Sequence, residues 1–479
     1  RVLTLTERQK VGHDLEQKYG LDTAYFDPDL PVVDNDNGAT FVTGNSATMN
    51  GNLTYTGALP AVVEVYWGTS DGGTSPFAWE NTNSFGTSSI GPLSSNMPGL
   101  SPNTAYYYRF SATNSNGRVW ADSSESFVTD LDITLFTNRL KITFCGYDRT
   151  EALSNFPVLV RLDTNIHNFS YATFASSSGG DLRFTDDDMT TPLNFEIEQW
   201  NPSGVSYIWV QVPQFVSNGC IFAYWGAANT NPPPTSSDGS AWESSYLGVW
   251  HLGEPNAQDS SFPQNNGTPV GATVVNDVGL VGTAQRVDNS YIDIANEQNF
   301  DITTDITVST WIRVDGGWRE SWQAFVSKRG EGGQGWQLRR LNNTDVGSFV
   351  LRGTTGADDP AGAVNLNDGQ WHHIVGVYDG AQRTMYVDGE VDIQLAETGA
   401  ITLTTANDSV KIGARDNGAS RHRGMIDETR IMAAVRSPNW IWASYMTIVS
   451  NDVLSCVTQV ENPQSPLVAN TGCATGITT

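Results

Sequence analysis

Two glutamates, Glu196 and Glu198, have the spacing that comes closest to a catalytic pair. Glycoside hydrolysis needs two carboxylates that face each other across a cleft, roughly 5 to 10 Å apart. On a strand, positions i and i+2 point to the same face, so the two side chains would lie side by side. A salt-bridged or solvent-exposed strand accounts for this pattern equally well, and no E-x-D-x-x-E strand is present. We therefore predict that the chain is not an enzyme.

The six histidines support neither another hydrolytic chemistry nor a metal centre. A serine or cysteine nucleophile needs an activating histidine, but the sequence has no G-x-S-x-G turn, P-loop or G-x-G-x-x-G motif after a strand. His372 and His373 follow Trp371 on a predicted strand, and the others are scattered: His13, His167, His251 and His422. We therefore do not expect a histidine-based metal site.

The charge balance narrows the range of partners. The chain of 479 residues has 52 acidic and 26 basic residues, a formal net charge of -26. Phosphate backbones and anionic lipids would be repelled, so we expect neither nucleic-acid binding nor membrane insertion. Divalent cations, neutral glycans or a salty medium suit such a surface, and simple solubility explains it as well. Charged residues make up only 16% and aromatic residues 10%, which is typical of β-rich extracellular proteins.

The four cysteines fall into two local pairs, Cys145 with Cys220 and Cys456 with Cys473. Their spacing is not that of a zinc site. Disulfides within modules are one interpretation and unpaired thiols are the other, because spacing does not establish geometry. We predict the Cys145–Cys220 bond, since these residues lie in the expected first and last strands of one module.

The elements that would position these residues are strands, apart from one helix at residues 1–20. Thr6 and Gln9 form a capping-box pattern there, and Gly20 ends the helix. Val11, Leu15 and Tyr19 repeat at i+4. The segment resembles the helical tail that closes laminin-G-like domains in bacterial surface proteins. The resemblance implies that residues 1–30 belong to a preceding module and pack poorly within this chain.

Residues 31–129 read as short alternating strands separated by Gly-containing turns. The run Leu100-Ser-Pro-Asn-Thr-Ala-Tyr-Tyr-Tyr-Arg-Phe110 resembles the L-x-P-x-T-x-Y signature of fibronectin type III sandwiches. In that fold the hydroxyl of the tyrosine, here Tyr106, caps a strand corner. Residues 130–229 resemble an uncharacterised β-sandwich family, through phrases such as Tyr207-Ile-Trp-Val-Gln-Val-Pro213. Consecutive prolines make residues 230–240 a stiff linker.

Residues 241–449 carry three ordered motifs. These are Gly369-Gln-Trp-His-His-Ile-Val-Gly-Val-Tyr-Asp-Gly380, Met385-Tyr-Val-Asp-Gly389 and Gly424-Met-Ile-Asp-Glu-Thr-Arg-Ile431. Together they resemble a bacterial laminin-G-like, concanavalin-type jelly roll. Alternation over Ile306–Val314 and the Asp-Gly hairpin turns agree with that fold.

Calcium is the cofactor that this resemblance favours, because hard cations bind carboxylate, amide and carbonyl oxygens. The segment Asp259-Ser-Ser-Phe-Pro-Gln-Asn-Asn-Gly-Thr268 resembles the family's D-S-S-G-N-G-N-D-G-T loop, but Phe-Pro-Gln replaces its Gly-Asn-Gly and Asn266 replaces its aspartate. The resemblance implies that Asp427 lies beside the loop. The predicted structural calcium ligands are Asp259, Asn265, Asn266 and Asp427. A turn rich in Asx caps is the alternative.

Aromatic side chains beside polar groups would bind glycans, and the candidates are Trp318, Trp322 and Trp336. Core packing of at least one of them is the competing interpretation.

The final segment, residues 450–479, reads as a linker followed by a new module. Pro466–Thr479 repeats the pattern of Pro31–Gly44 without a gap, which indicates one period of a modular array. The sequence thus predicts an all-β chain of tandem sandwiches from a bacterial extracellular or cell-surface protein. Its function would be adhesion or that of a structural spacer or fibre, with glycans, surface proteins or copies of itself as partners. The alternative is the carbohydrate-binding part of a polysaccharide-degrading exoenzyme.

Overall fold

The computed structural model describes residues 27–466 and five helical positions before them, Val11, Gly12, Leu15, Lys18 and Tyr19. Within that range it leaves out residues 28, 103, 254–256, 272–273, 296, 330–332, 357–358, 404–408 and 416–417. The predicted all-β class is confirmed, because most described elements are strands. The chain forms two compact units, the N-terminal unit (Arg1–Ile133) and a larger unit (Thr134–Thr479).

The N-terminal unit is a sandwich of two antiparallel sheets. Its strands are β1 (Val32–Asp34), β2 (Ser46–Tyr55), β3 (Ala61–Gly68), β4 (Asn81–Ser88), β5 (Gly91–Pro98), β6 (Ala105–Asn114), β7 (Gly117–Trp120) and β8 (Glu125–Val128). One sheet has the order β1-β2-β5, and the other has β4-β3-β6-β7 with β8 also paired to β6. Tyr108 and Phe110 of β6 lie in the core between the sheets. Apolar residues at alternate positions of each strand build this core, as the sequence predicts.

The Tyr106 hydroxyl accepts a hydrogen bond from the Ser101 backbone N–H at 3.0 Å, so the corner predicted from the sequence is formed. The fibronectin type III resemblance of the whole unit stays a prediction. Val11, Leu15 and Tyr19 have exposed side chains, at 48%, 46% and 61% of their surface. The assignment of residues 1–30 to a preceding module stays a prediction, because most of this segment lies outside the described residues.

The larger unit begins with a second sandwich, here called the middle sandwich. Its strands are β9 (Asn138–Thr143), β10 (Leu153–Leu162), β11 (Arg183–Thr185), β12 (Phe195–Gln199), β13 (Ser206–Phe215) and β14 (Cys220–Trp225), joined by β29 (Cys456–Val457) from the end of the chain. A three-stranded sheet, β10-β13-β12, packs on a four-stranded sheet, β11-β14-β9-β29.

The jelly roll follows as two larger sheets. Its strands are β15 (Tyr246–Trp250), β16 (Thr268–Val270), β17 (Val274–Val278), β18 (Thr283–Val287), β19 (Tyr291–Ile294), β20 (Ile306–Val314), β21 (Ala324–Arg329), β22 (Gly335–Arg340), β23 (Gly347–Leu351), β24 (Trp371–Tyr378), β25 (Gln382–Val387), β26 (Glu390–Ala396), β27 (Val410–Ile412) and β28 (Gly424–Met432). The eight-stranded sheet runs β17-β18-β28-β20-β24-β25-β26, with β15 paired to β28. The six-stranded sheet runs β16-β19-β27-β21-β22-β23. Their inward faces form one apolar core.

A helix, α1 (Pro438–Val449), packs the middle sandwich against the jelly roll, and a short helix, α2 (Asn451–Leu454), follows it. The Ser437 hydroxyl accepts from Trp440 N–H and Pro438 occupies the first turn, which are ordinary helix-start signals. Trp440 and Ile441 are buried in the core of the middle sandwich together with Val375 of the jelly roll. Burial of such side chains contributes about 1.5–3 kcal/mol each. The two sandwiches therefore share apolar packing. The described short 3₁₀ helices are Pro76–Ala78, Ile133–Leu135, Tyr171–Thr173, Pro234–Ser236 and Glu297–Phe300.

Two segments predicted as linkers are packed parts of the larger unit. In the proline-rich segment, Asn231 O accepts from Arg183 Nη2 at 2.7 Å and Ser240 O accepts from Asn194 Nδ2 at 3.1 Å. After α1, strand β29 joins the edge of the sheet of the middle sandwich. Residues 450–461 are therefore not a linker, because β9 leaves a free edge that they pair with. Cys473 and the repeated pattern of residues 467–479 lie outside the described residues.

The predicted Cys145–Cys220 bond is wrong, and so is the pairing of Cys456 with Cys473, because Cys145 is bonded to Cys456. Cys220 has no disulfide partner among the described residues. The register places Cys220 opposite Thr143 rather than opposite Cys145. Beyond β9 the chain turns toward α2, where Gly146 N–H donates to Leu454 O. This turn brings Cys145 to the strand that follows α2.

In the part of the chain that the structure describes, no helix has both the length and the apolar character needed to cross a bilayer.

Candidate functional site

The candidate site lies where the three-stranded sheet of the middle sandwich faces the jelly roll. On β12, Phe195 points into the core of the middle sandwich, so Glu196 and Glu198 point out of it on the opposite face. Glu196 is opposite Trp209 of β13. The outer face of this sheet therefore carries two carboxylates and an indole toward the jelly roll.

The jelly roll contributes His251, which directly follows β15, and Glu428 of β28. Strand β28 has a bulge where it pairs with β20. Ser309 is opposite Arg430 and Trp311 is opposite Asp427, so β28 has one extra residue between these pairs, and Glu428 lies in the bulge. Glu428 accordingly has a φ of 46°, and Leu252, which follows His251, has a φ of 60°. Such left-handed conformations in non-glycine residues are sparsely populated and costly. The bulge re-aims the Glu428 side chain out of the regular alternation of the strand.

We call Glu196, Glu198, His251, Glu428 and Arg430 the junction cluster. His251 Nδ1 lies 2.7 Å from Glu428 Oε1 and 3.4 Å from Glu198 Oε2. His251 Nε2 lies 3.5 Å from Glu196 Oε2. One ligand atom from each of Glu198, His251 and Glu428 lies within 4.8 Å of the other two. Three carboxylates thus surround one imidazole inside the junction.

Each carboxylate of the cluster has a further donor. Trp209 Nε1 donates to Glu198 Oε2 at 2.7 Å, and Trp242 Nε1 donates to Glu196 Oε2 at 2.8 Å. Ser260 Oγ donates to Glu196 Oε1 at 2.5 Å. Arg430 Nη2 lies 2.6 Å from Glu428 Oε2, and its guanidinium lies over the rings of Trp209 and Trp242. These donors fix the orientation of the three glutamates.

Burial and mutual repulsion shift the pKa values of the acids in this region. Burial raises the pKa of Glu198 well above its ordinary value, and the Glu428 charge adds to the effect. The neighbouring Asp427 also has a pKa raised well above the ordinary value, by burial and then by Glu428. Burial opposes ionisation of Glu428 and Glu196 too, but for Glu428 the charges of His251 and Arg430, and for Glu196 chiefly His251, outweigh it and lower the pKa of each.

The same carboxylates act on the imidazole. Burial alone would lower the pKa of His251, but Glu428, Glu198 and Glu196 outweigh burial and raise that pKa well above its ordinary value. The cluster is thus a site where a positive charge is strongly stabilised.

The predicted calcium ligands serve as hydrogen-bond acceptors. Asp259 Oδ1 accepts from Val249 N, Ser261 N and Ser261 Oγ at 2.7–2.8 Å, and its Oδ2 accepts from Asn265 N at 2.7 Å. Asn266 Oδ1 accepts from Asp259 N, and Asn265 Oδ1 accepts from Asn299 Nδ2. An ion at this place would have to displace these donors. The oxygens therefore fit a capped turn better than a calcium site, and calcium binding stays a prediction.

Asp427, the fourth predicted ligand, faces a different part of the chain. Its Oδ2 accepts from Leu280 N at 2.8 Å, and its Oδ1 accepts from Glu428 N at 3.0 Å. The described hydrogen bonds of Asp259 and Asp427 thus come from separate segments.

Of the three tryptophans predicted for glycan binding, Trp336 is fully buried in the jelly-roll core and cannot contact a glycan. It shares the inward face of β22 with Leu338, so the competing interpretation of core packing is correct for this residue. Trp318 and Trp322 are half-buried. Arg340 lies over Trp318 at 4.8 Å and Arg339 over Trp322 at 4.2 Å.

The sequence does not lead us to expect a histidine-based metal site, but His251 lies with Glu198 and Glu428 in a group whose ligand atoms are close enough to hold a metal ion. The sequence predicts that Glu196 and Glu198 share one face of a salt-bridged or solvent-exposed strand, and the structure shows both carboxylates paired with His251. Their partners come from another sandwich, and only the position of His251 at the end of a strand and the buried Asp427-Glu428 pair in β28 could have pointed to them.

The family comparisons agree with the two sandwiches. Residues 286–442 match a model described as the concanavalin A-like lectin/glucanases superfamily, and a concanavalin A-like jelly-roll domain is present there. Residues 178–243 match a domain of unknown function, DUF2341. Among curated proteins, none matches this sequence.

Solved structures that are similar to part of this chain include domain 4 of AbnA, an extracellular arabinanase from Geobacillus stearothermophilus, in complex with arabinotriose. It is 17% identical with a TM-score of 0.35, over 42% of this chain and 98% of that one. A sialidase CBM40 from Ruminococcus gnavus, bound to sialyllactose, is 15% identical with a TM-score of 0.30. The match covers 36% of this chain and 100% of that one. The binding domain of Paraclostridial Mosquitocidal Protein 1 is 15% identical with a TM-score of 0.34. The match covers 42% of this chain and 52% of that one.

Proposed function

We propose that residues 134–466 act as a non-catalytic structural spacer in an extracellular, modular surface protein. The observation that carries the proposal is the position of the Cys145–Cys456 bond, which has a sequence separation of 311. The chain enters the unit through β9 and leaves it through β29, and these strands are antiparallel neighbours. Tension along the chain therefore passes from β9 to β29 through a covalent bond, which keeps it from reaching residues 146–455 between the two cysteines.

The outer end of this strand pair is reinforced by Arg139 and Glu461. Their backbones exchange two hydrogen bonds at 2.7 and 2.8 Å. Arg139 Nη2 lies 2.8 Å from Glu461 Oε2, and the side chains are 4% and 10% exposed. Pulling on the two ends would separate this pair first and then stop at the bond. Residues 146–455, which include the jelly roll and strands β10 to β14 of the middle sandwich, would bear no tension.

The same observation supports an extracellular or cell-surface location, because disulfides persist in oxidising compartments. A catalytic use of Glu196 and Glu198 is not supported. The side chains of Glu196 and Glu198 are only 19% and 5% exposed, and Trp242, Ser260 and Trp209 already donate to them, so they do not face each other across an open cleft. Adhesion to surface proteins or to other copies of the chain would use the outer faces of a spacer of this kind.

Single-molecule pulling of the full chain, attached through its two termini, tests the proposal. Unfolding of the N-terminal unit is an internal reference that occurs in every trace. Without reductant we expect little extension of the chain beyond that caused by unfolding of the N-terminal unit. With reductant, or in the Cys145→Ser/Cys456→Ser variant, the extension should grow by roughly 1,100 Å, since an extended residue spans about 3.5 Å.

Cys220→Ser is the matched control, because this thiol forms no disulfide within the described part of the chain. It should leave both sets of traces unchanged. A long extension of the unreduced wild-type protein would overturn the proposal, since tension would then reach the sandwiches despite the bond.

Glycan binding is a second candidate function, supported by the two half-buried indoles, Trp318 and Trp322. Titration of the chain with neutral oligosaccharides, read by tryptophan fluorescence, tests it. Trp322→Ala should weaken binding, and Trp336→Phe, at a buried position, should not. A lack of binding by the wild-type chain would leave the spacer as the only candidate.

A further inference from the structure

At the centre of the junction cluster, one distance is that between two ligands of a single metal ion. His251 Nδ1 and Glu198 Oε2 are 3.4 Å apart. Two ligands of a tetrahedral zinc ion, each bonded at about 2.0–2.2 Å, lie about 3.3–3.6 Å from each other. A second distance, the 2.7 Å between His251 Nδ1 and Glu428 Oε1, is a hydrogen-bond distance that would lengthen when an ion enters. Glu428 Oε1 completes a set of one nitrogen and two oxygens. This set suits zinc and other first-row divalent ions, whereas calcium prefers six to eight oxygens.

The unused side of the imidazole is an independent observation. His251 Nε2 is buried and has no hydrogen-bond partner among the described residues. It lies 3.5 Å from Glu196 Oε2, which Trp242 holds in place. If Nδ1 binds a metal, Nε2 must carry the proton, and that proton points to a carboxylate. Metal-binding histidines commonly donate to a carboxylate through the other ring nitrogen.

The remaining ligands have outer partners of the same kind. Arg430 donates to the second oxygen of Glu428, and Trp209 Nε1 donates to Glu198 Oε2, the oxygen that also faces His251 Nδ1. All three prospective ligands are thus oriented by a further side chain. A buried charge needs such compensation, and two glutamates would balance the charge of a divalent ion.

We propose that Glu198, His251 and Glu428 bind a first-row divalent cation, with zinc as the expected ion. Glu198 belongs to the middle sandwich, and His251 and Glu428 belong to the jelly roll, so the ion would cross-link the two sandwiches. The role is structural, because the ligands have little exposed surface. The inference does not rest on the spacer function.

Metal content and melting of the tag-free full chain test the inference. The protein is stripped with chelator, dialysed against a small excess of zinc, freed of loose metal by gel filtration and measured by elemental analysis. We expect one zinc per chain and a higher melting temperature of the larger unit than in the stripped protein. Cobalt in place of zinc should give the visible absorption of a low-coordinate site.

Glu198→Gln removes a ligand but keeps the side-chain size and an acceptor for Trp209. We expect its zinc affinity to fall by more than about 10–100-fold, the loss that changes in outer partners alone cause. Asp259→Asn, which changes another buried carboxylate of the jelly roll, should still bind one zinc.

Two results would overturn the inference. One is a wild-type chain that retains no zinc, cobalt, manganese or iron(II) and melts identically with and without them. The other is zinc binding that Glu198→Gln and His251→Gln leave unchanged, which would place the ion elsewhere.

Discussion

Two buried carboxylates of the jelly roll, those of Asp259 and Glu428, are stabilised in different ways. Asp259 accepts hydrogen bonds from the backbone and hydroxyl donors of Val249, Ser261 and Asn265, all within ten residues. Glu428 contacts charged partners, the His251 imidazole 177 residues away and the Arg430 guanidinium. One carboxylate closes a turn, and the other belongs to a charge network between two sandwiches.

This difference separates local from long-range stabilisation. Backbone N–H donors come with the turn, so the Asp259 carboxylate is satisfied whenever its loop folds. The Glu428 carboxylate is satisfied only when β15 and β28 are both in place, because His251 follows the first and Arg430 belongs to the second. We therefore expect substitutions in the junction cluster to affect stability more strongly than substitutions in the loop.

The largest loss of stability is expected for Arg430→Met, because this change removes the guanidinium that pairs with Glu428. Removing one partner of a buried ion pair costs about 3–5 kcal/mol, because an uncompensated charge stays buried. The measurement is the free energy of unfolding of the larger unit by calorimetry.

Arg319→Met is the control, since Arg319 pairs with Asp288 at side-chain exposures of 40% and 47%. Its cost should be below about 1 kcal/mol. Equal losses of unfolding free energy in the two variants would show that the ion pair of the junction cluster contributes no more to stability than a surface ion pair.

A smaller loss is expected for Asp259→Ala, which leaves the Val249, Ser261 and Asn265 amides without their acceptor. A buried donor without a partner costs about 1–3 kcal/mol, and water entering the loop would reduce the sum, so we expect about 2–3 kcal/mol. Asp259→Asn keeps one oxygen and should lose less.

The same melts test calcium. Calcium at about 100 times its dissociation constant would stabilise the wild type by roughly 2.7 kcal/mol. Identical curves with calcium and with chelator would leave Asp259 with its role in the turn alone.

Much of the fold could be predicted because its determinants are local. Alternation from Ile306 to Val314 gives β20, and Asp379-Gly380 and Asp388-Gly389 give the hairpins that follow β24 and β25. The burial of Trp336 follows from the same alternation, since it shares a face with Leu338. Such patterns depend on neighbours along the chain.

The disulfide and the junction cluster could not be predicted because their determinants are long-range. Cys145 has a candidate partner 75 positions away in a neighbouring strand, and the structure selects one 311 positions away. The choice depends on how α2 and β29 return to the middle sandwich. In the same way, the spacing of Glu196 and Glu198 shows that they share a face, but it does not show that His251 and Glu428 cover that face.

The smallest expected effect concerns a third carboxylate arrangement, which lies near the surface. His372 Nδ1 lies 2.8 Å from Asp388 Oδ2, and its Nε2 lies 3.1 Å from Asp368 Oδ1. Burial lowers the pKa of His372, but the two carboxylates outweigh burial and raise it above the ordinary value of 6.5. The protonated imidazole therefore stabilises the fold.

Asp388→Asn should weaken this stabilisation in a pH-dependent way. Because the pKa of His372 is raised on folding, its contribution is fully present below pH 6.5 and is lost as the pH rises through the folded value. The difference in stability between wild type and Asp388→Asn should thus be largest near pH 6 and shrink toward pH 9. Asp388 is 31% exposed, so we expect a difference below about 1 kcal/mol. Asparagine tolerates the φ of 53° at this position, and its amide oxygen can still accept from His373 N.

Asp379→Asn is the matched control, because Asp379 starts the preceding hairpin turn and accepts only from the backbone of that turn among the described hydrogen bonds. Its effect on the melting temperature should be the same at pH 6 and pH 9, like that of any carboxylate satisfied by local N–H donors. Asp388→Asn should differ between the two pH values, because its partner is a titrating charge. If both variants respond alike to pH, the distinction between carboxylates held by backbone donors and carboxylates held by charged partners does not extend to the surface of this jelly roll.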